Sequence, residues 1–194
     1  MKVNVRQIHG PWNLGYSLDK HTISSTYLGD DEYGHAKFDT TRSEVGEALF
    51  QLKYRFDQSQ AAVLATRMAA SLRHHFTSTS FVVPMPPSRQ RAIQPVTAIA
   101  RQVATEMGVP CLENVLVKTT HTAQMKDIAS REDRIAALCS AFVVNDVLAD
   151  GQYDVLVIDD LYDTGSSLEA ATIMLRQYRK IRNIFVATVT RKNP

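Results

Sequence analysis

The spacing of apolar positions changes character near residue 40. Before it, the β-prone runs 3–6 and 21–27 alternate with turn signals at Gly10, Gly15, Gly29 and Gly34, the mark of short strands joined by turns. With Trp12, Tyr16, Tyr27 and Tyr33 in the same stretch, residues 1–40 read as a small β-rich hood or appendage. After it, Val45, Ala48, Leu49 and Leu52 recur at helical spacing, with Ser43 placed to cap and Glu44 and Glu47 in the first turns. Residues 53–57 read as a break. A second helix is expected over residues 60–76, with Ala61, Leu64, Ala65, Met68 and Leu72 on one face.

From residue 80 the pattern alternates. Continuous apolar runs at 80–84, 112–117, 141–144, 154–158 and 183–189 read as buried strands. Between them lie helical repeats: Val96, Ile99, Ala100, Val103 and Met107, closed by Gly108 and Pro110; residues 131–138; and Leu168, Ala171, Leu175 and Tyr178. Strands apolar on both faces, alternating with helices, predict an α/β domain over residues 41–194, a parallel sheet flanked by helices. Ligands of such sheets sit beyond the C-terminal strand ends. Residues 118–131 are polar and aperiodic and read as a mobile loop.

Composition narrows the class without choosing within it. A chain of 194 residues fits one domain with a real core. A net charge of +2 argues against a commitment to nucleic acid or membrane surfaces. Two cysteines, Cys111 and Cys139, give neither a disulfide framework nor a zinc knuckle, which favours a reducing, cytoplasmic setting. The N-terminus lacks the apolar core of a signal peptide, and no apolar run reaches membrane-spanning length.

The chemistry concentrates in one stretch. Val155-Leu156-Val157-Ile158 leads into Asp159-Asp160-Leu161-Tyr162-Asp163-Thr164-Gly165-Ser166-Ser167, and a helix follows. A strand thus delivers two adjacent carboxylates, able to accept from a sugar diol, to a hydroxyl- and glycine-bearing loop. Backbone N–H groups at the start of that helix suit a phosphate, and Gly165 allows close approach or a positive φ. The blander alternative is a solvated turn with Asp163 or Thr164 as an ordinary cap. A nucleotide-hydrolase metal strand lacks its Gly-Lys-Ser/Thr partner loop, and a receiver domain lacks its N-terminal half. Another strand end, Val83-Pro84, enters a loop bearing Arg89 and Arg91, whose guanidinium groups suit phosphate oxygens.

Residues 155–168 resemble the 5-phosphoribosyl-1-pyrophosphate (PRPP) binding signature of type I phosphoribosyltransferases, position by position. The segment Ala48-Leu49-Phe50-Gln51-Leu52-Lys53-Tyr54-Arg55, the Pro84–Arg91 loop with Gln94, and Gln124, Arg131, Arg134 and Ala141-Phe142 resemble, in order, segments of the ComF-like branch. The likeness spans residues 45–192. It departs from that branch at the N-terminus, which lacks the zinc-binding cysteine cluster.

The resemblance implies transfer of a phosphoribosyl group from PRPP to a small nitrogenous acceptor with release of pyrophosphate. Asp159 and Asp160 would hold the ribose hydroxyls and Mg²⁺, directly or through water. Asp163, Thr164, Gly165, Ser166 and Ser167 would cradle the 5′-phosphate, with Asp163 also a candidate base near the acceptor. Arg89, Arg91, Lys118 and Arg131 would contact pyrophosphate, with Lys126 a further candidate. Relatives of this kind are often homodimers. Two further readings stay open: a PRPP-binding regulatory module without transfer, and a DNA-uptake accessory protein. The pair His74-His75 reads as helix capping, and the cysteines as core residues.

Overall fold

A computed structural model describes residues 1–88, 93–119 and 130–192. The central sheet has the order β1-β2-β9-β8-β5. Strands β2 (Leu14–Lys20), β9 (Ile181–Arg191), β8 (Tyr153–Tyr162) and β5 (Phe81–Pro84) run parallel, and β1 (Arg6–Gln7) closes the edge antiparallel to β2. Cys111 extends the opposite edge by a parallel bridge to Val82. The α/β architecture expected from the alternating pattern is present, a parallel sheet flanked by helices.

Two apolar cores flank that sheet. On one face α1 (Glu44–Tyr54), α2 (Ser59–Leu72) and α3 (Pro95–Met107) bury Leu49, Leu64, Met68 and Ile99 against Leu18, Leu156, Ile158 and Val189. On the other, α4 (Arg131–Ala141) and α5 (Ser166–Arg176) pack Leu138, Leu168 and Leu175 against Val155, Val157 and Val186. Alternate residues of β8 thus feed opposite cores, as the two-residue period of a strand requires.

The β-rich character of residues 1–40 is shared between two sheets. Strand β2 lies inside the main sheet, with Leu18 in the core, and Trp12 packs in the second core with its indole N–H on Ile8 O at 3.1 Å. Only β3 (Thr22–Asp30) and β4 (Ala36–Arg42) stand apart, as an exposed antiparallel hairpin. Its polar alternation conceals no core face. A second two-stranded piece pairs β6 (Leu116–Lys118) with β7 (Phe142–Val144).

Several element boundaries differ from expectation: the second helix ends at Leu72, the strand expected over 112–117 is confined to Leu116–Lys118, and two further differences have a plain physical reason. Helix α1 continues through Lys53 and Tyr54, because both are compatible with helix and Leu52 is still in the apolar stripe; it stops at Phe56, which takes a φ of 60°. Strand β8 runs on past Ile158 to Tyr162, since pairing with β9 continues through Leu161↔Thr190 and Tyr162↔Arg191. The capping of α1 is as expected: Ser43 Oγ accepts from Gly46 N at 2.9 Å. Gly108 closes α3 with a φ of 71°.

Candidate functional site

The parallel strands end on one side of the molecule, and the chemistry-bearing residues cluster there. Asp159 and Asp160 lie within the last residues of β8, which runs to Tyr162, rather than in the loop beyond it. Their backbone is held on both sides: Thr190 Oγ1 of β9 donates to Asp160 O at 3.0 Å, and Asp160 N donates to Asp159 Oδ1 at 2.8 Å.

The two acids are not equivalent. Asp160 continues the register of Leu156 and Ile158, so it faces the α1–α3 side, where Lys53 Nζ donates to its Oδ2 at 2.7 Å. Both side chains of that pair are largely enclosed, at 17% and 18% exposure. Asp159 faces the α5 side. Burial, and then the neighbouring Asp160 charge, push its carboxyl up to about 8, against the opposing pull of the Asp160 N–H and of Lys53. Among the described residues no cation contacts Asp159 directly, and a divalent ion would relieve a carboxyl so placed.

Past β8 the chain turns through Asp163, Thr164 and Gly165 into α5. Gly165 is the N-cap residue, in the left-handed region at φ 78°, and supplies no side-chain cap. A Cβ there would lie 2.9 Å from Tyr162 Cε2, so both conformation and packing call for glycine. Thr164 Oγ1 and Ser166 Oγ are 3.0 Å apart, and Ser166 N reaches Thr164 Oγ1 only at 3.5 Å. The first N–H groups of α5, which have no intrahelical acceptors, therefore meet a rim of hydroxyls, an arrangement suited to a phosphate. Asp163 is half-exposed and pairs with Lys192 at 2.5 Å.

The remaining candidates divide. Lys118 lines a cavity of about 290 Å³ with Pro84, Met85, Pro87, Glu113 and Thr119, beside the end of β5; desolvation lowers its ammonium below the ordinary lysine value. This cavity does not include the acid pair. Arg131 ion-pairs with Glu169, one turn into α5. Arg89, Arg91, Gln124 and Lys126 lie outside the described residues, as does most of the 118–131 loop. The rings of His74 and His75 lie 3.9 Å apart but tilted by 44°, and His75 stacks on Tyr16 at 3.9 Å. Cys139 is partly buried and Cys111 more so, and burial raises both thiols, Cys111 to about 11.

Three residues beside the site have no role assigned from the sequence: Lys53, which falls in the stretch read as a break and in the segment resembling the ComF-like branch, Lys192 and His21. His21 lies beside them: its Nδ1 is 3.1 Å from Thr190 Oγ1. Because that hydroxyl gives its one hydrogen to Asp160 O, the shared contact requires a proton on Nδ1. Burial, then Lys53 and Arg42, keep the ring below the usual histidine range. None of these contacts is local, so periodicity could not reveal them.

Among the described residues no group of three or more histidine, cysteine or acidic side chains is placed to hold a metal, and no helix is long and apolar enough to cross a membrane. The acid pair is nonetheless compatible with an ion that takes most of its ligands from substrate phosphates and water, the habit of Mg²⁺. No family model matches the chain, and no curated protein matches it. Solved structures similar to it include an adenine phosphoribosyltransferase at 14% identity, covering 86% of this chain and 85% of that one, with a TM-score of 0.45. The adenine phosphoribosyltransferase of Saccharomyces cerevisiae shares 12% identity over 86% and 84%, also at 0.45. A hypoxanthine phosphoribosyltransferase from Staphylococcus aureus shares 13% over 68% and 62%, at 0.40.

Proposed function

We propose that the chain binds PRPP and transfers its phosphoribosyl group to a small nitrogenous acceptor, releasing pyrophosphate. One observation carries the reading: a strand end with two carboxylates runs directly into a left-handed glycine and a helix start ringed by hydroxyls. Diol and monophosphate are the two ends of a ribose 5-phosphate, and the site offers a partner for each. The same residues form the PRPP signature in the sequence. The finer likeness to ComF-like proteins rests on sequence positions alone.

In this reading Asp159 and Asp160 accept the ribose hydroxyls, while Thr164, Gly165, Ser166 and Ser167 hold the 5′-phosphate. Loss of pyrophosphate builds positive charge on the ribose ring, which carboxylates close to the diol stabilise. Asp163, paired with Lys192 at the rim, is the candidate base near the acceptor. Mg²⁺, held through water by Asp159 and by the diphosphate, would neutralise the leaving group. Arg89, Arg91, Lys118 and Arg131 are the proposed pyrophosphate contacts; Arg131 would have to exchange Glu169 for the ligand. A cytoplasmic location and a homodimer accompany the same proposal.

The deciding experiment titrates the protein with PRPP and Mg²⁺ by calorimetry, then measures pyrophosphate release across a panel of purine, pyrimidine and amine acceptors. Saturable PRPP binding, with release for at least one acceptor, is expected. Binding without release for any acceptor or water removes the enzyme and leaves a PRPP-binding module. An Asp159→Asn/Asp160→Asn variant that binds PRPP as well as the parent overturns both.

A further inference from the structure

Lys53 reaches the acid pair from a helix fixed at the far side of the sheet. The N-terminus of α1 is clamped onto the end of β2: Ser43 Oγ donates to Lys20 O at 2.5 Å, and a Cβ on Gly46 would stand 2.1 Å from His21 O. Seven residues later Lys53 contacts Asp160 on β8. An axial rise of about 1.5 Å per residue carries the helix about 10 Å over that interval. Two strand spacings of about 4.8 Å separate β2 from β8 across β9. The helix thus bridges from one strand end to the other, and its last turn delivers an ammonium to one acid and not to its neighbour.

We propose that Lys53 is a positioning residue for sugar recognition: it fixes Asp160 as the carboxylate that accepts the ribose diol and leaves Asp159 to the cation. This rests on the phosphoribosyl reading above. A carboxylate held by one oxygen to a rigid helix presents its other oxygen in a defined direction. The ammonium at 2.7 Å occupies Oδ2 and leaves Oδ1 of Asp160 for a hydroxyl. Enclosing an ion pair is costly unless its groups are well satisfied. In the Lys180–Asp146 pair the lysine is similarly enclosed but the carboxylate is 69% exposed, whereas Asp160 is enclosed with its lysine. The enclosed pair at the strand end therefore points to a role in the site.

The test compares ribose 5-phosphate with 2-deoxyribose 5-phosphate, which share the phosphate and differ in one hydroxyl. Both are titrated by calorimetry against the full chain at one fixed Mg²⁺ concentration, for the parent, Lys53→Met and Lys53→Arg; circular dichroism confirms folding. The parent should prefer the ribose compound by about tenfold, the worth of a hydrogen bond to a charged group. Lys53→Met should bring that preference to about twofold or less and leave the deoxy compound bound within about threefold of the parent. Lys53→Arg should restore most of the preference. If Lys53→Met does not fold, Lys53→Gln, which removes the charge and retains a donor, is read in the same way. A variant that keeps the parental preference, or weakens both sugars equally, overturns the inference. A parent that binds neither sugar, or binds both alike, refutes the phosphoribosyl reading instead.

Discussion

Asp159→Asn should stabilise the protein while removing an acid proposed for the site. In the folded chain burial and Asp160 raise the Asp159 carboxyl to about 8, whereas an unfolded chain ionises near the ordinary aspartate value of about 3.9. Folding therefore holds a proton that the unfolded chain releases between those limits, so the parent loses stability as pH rises from about 4 to about 8. A gap of four units at one isolated group would be worth about 5–6 kcal/mol. Asp160 shares that repulsion, Lys53 offsets part of it, and Asp159 is partly open to solvent, so about 1–3 kcal/mol at pH 8 is the expected gain. The amide preserves shape and can still accept from Asp160 N through its oxygen. Urea unfolding of parent and variant in metal-free buffer, from pH 4.5 to 8.5, measures the difference. It should be near zero at the acid end, grow with pH, and level off above 8. A difference that does not change with pH, or a variant less stable throughout, would show that Asp159 is not held in the raised state.

Two further outcomes follow from other parts of the fold. Gly165→Ala forces a side chain into the left-handed region and against Tyr162; it should cost about 1–3 kcal/mol in urea unfolding and weaken ribose 5-phosphate more than tenfold by calorimetry, and a parental affinity would detach the loop from phosphate binding. Asp154, at the start of β8 and 1% exposed, accepts both Arg182 Nε and Nη2 and also Asn183 Nδ2, and the Arg182 bonds hold its carboxyl down to about 2. Its contribution is present above pH 4 and lost toward pH 2; because Arg182 is itself 56% exposed, about 1–2 kcal/mol is expected, so Asp154→Asn should flatten the acid limb of a thermal-melt profile and leave ribose 5-phosphate affinity unchanged.

The parts of the fold legible in the sequence are those whose cause is local or periodic. Val45, Leu49 and Leu52 announce α1, Ser43 announces its start, and Gly108 the end of α3, because each acts within a turn or two of its own position. The phosphate loop is legible for the same reason: strand, acids, glycine and helix start are contiguous. Strand β2 is harder to read: Leu14, Tyr16 and Leu18 alternate and pack in one core, but the run is short and holds Gly15 and Asp19, which are disfavoured in strands. Its place is set by six-residue pairing with β9, more than 160 residues away. Hairpin β3–β4 is legible in part: the β-prone run 21–27 marks β3, whereas β4, with no buried face, leaves no apolar period to read.

The same distinction explains why the charge balance of the site could be read only in part. The acids are adjacent in the chain, but their cations come from opposite ends of it, Lys53 from α1 and Lys192 from beyond β9. A double-acid strand end without these lysines would concentrate three carboxylates, Asp159, Asp160 and Asp163, within five residues. Lys53 pairs with Asp160 and Lys192 with Asp163, so among the described residues Asp159 is the acid of the three left without a lysine contact. The sheet order brings this about: β9 lies beside β8, so Lys192 emerges next to the loop, and α1 bridges from β2, so Lys53 arrives over the strand end.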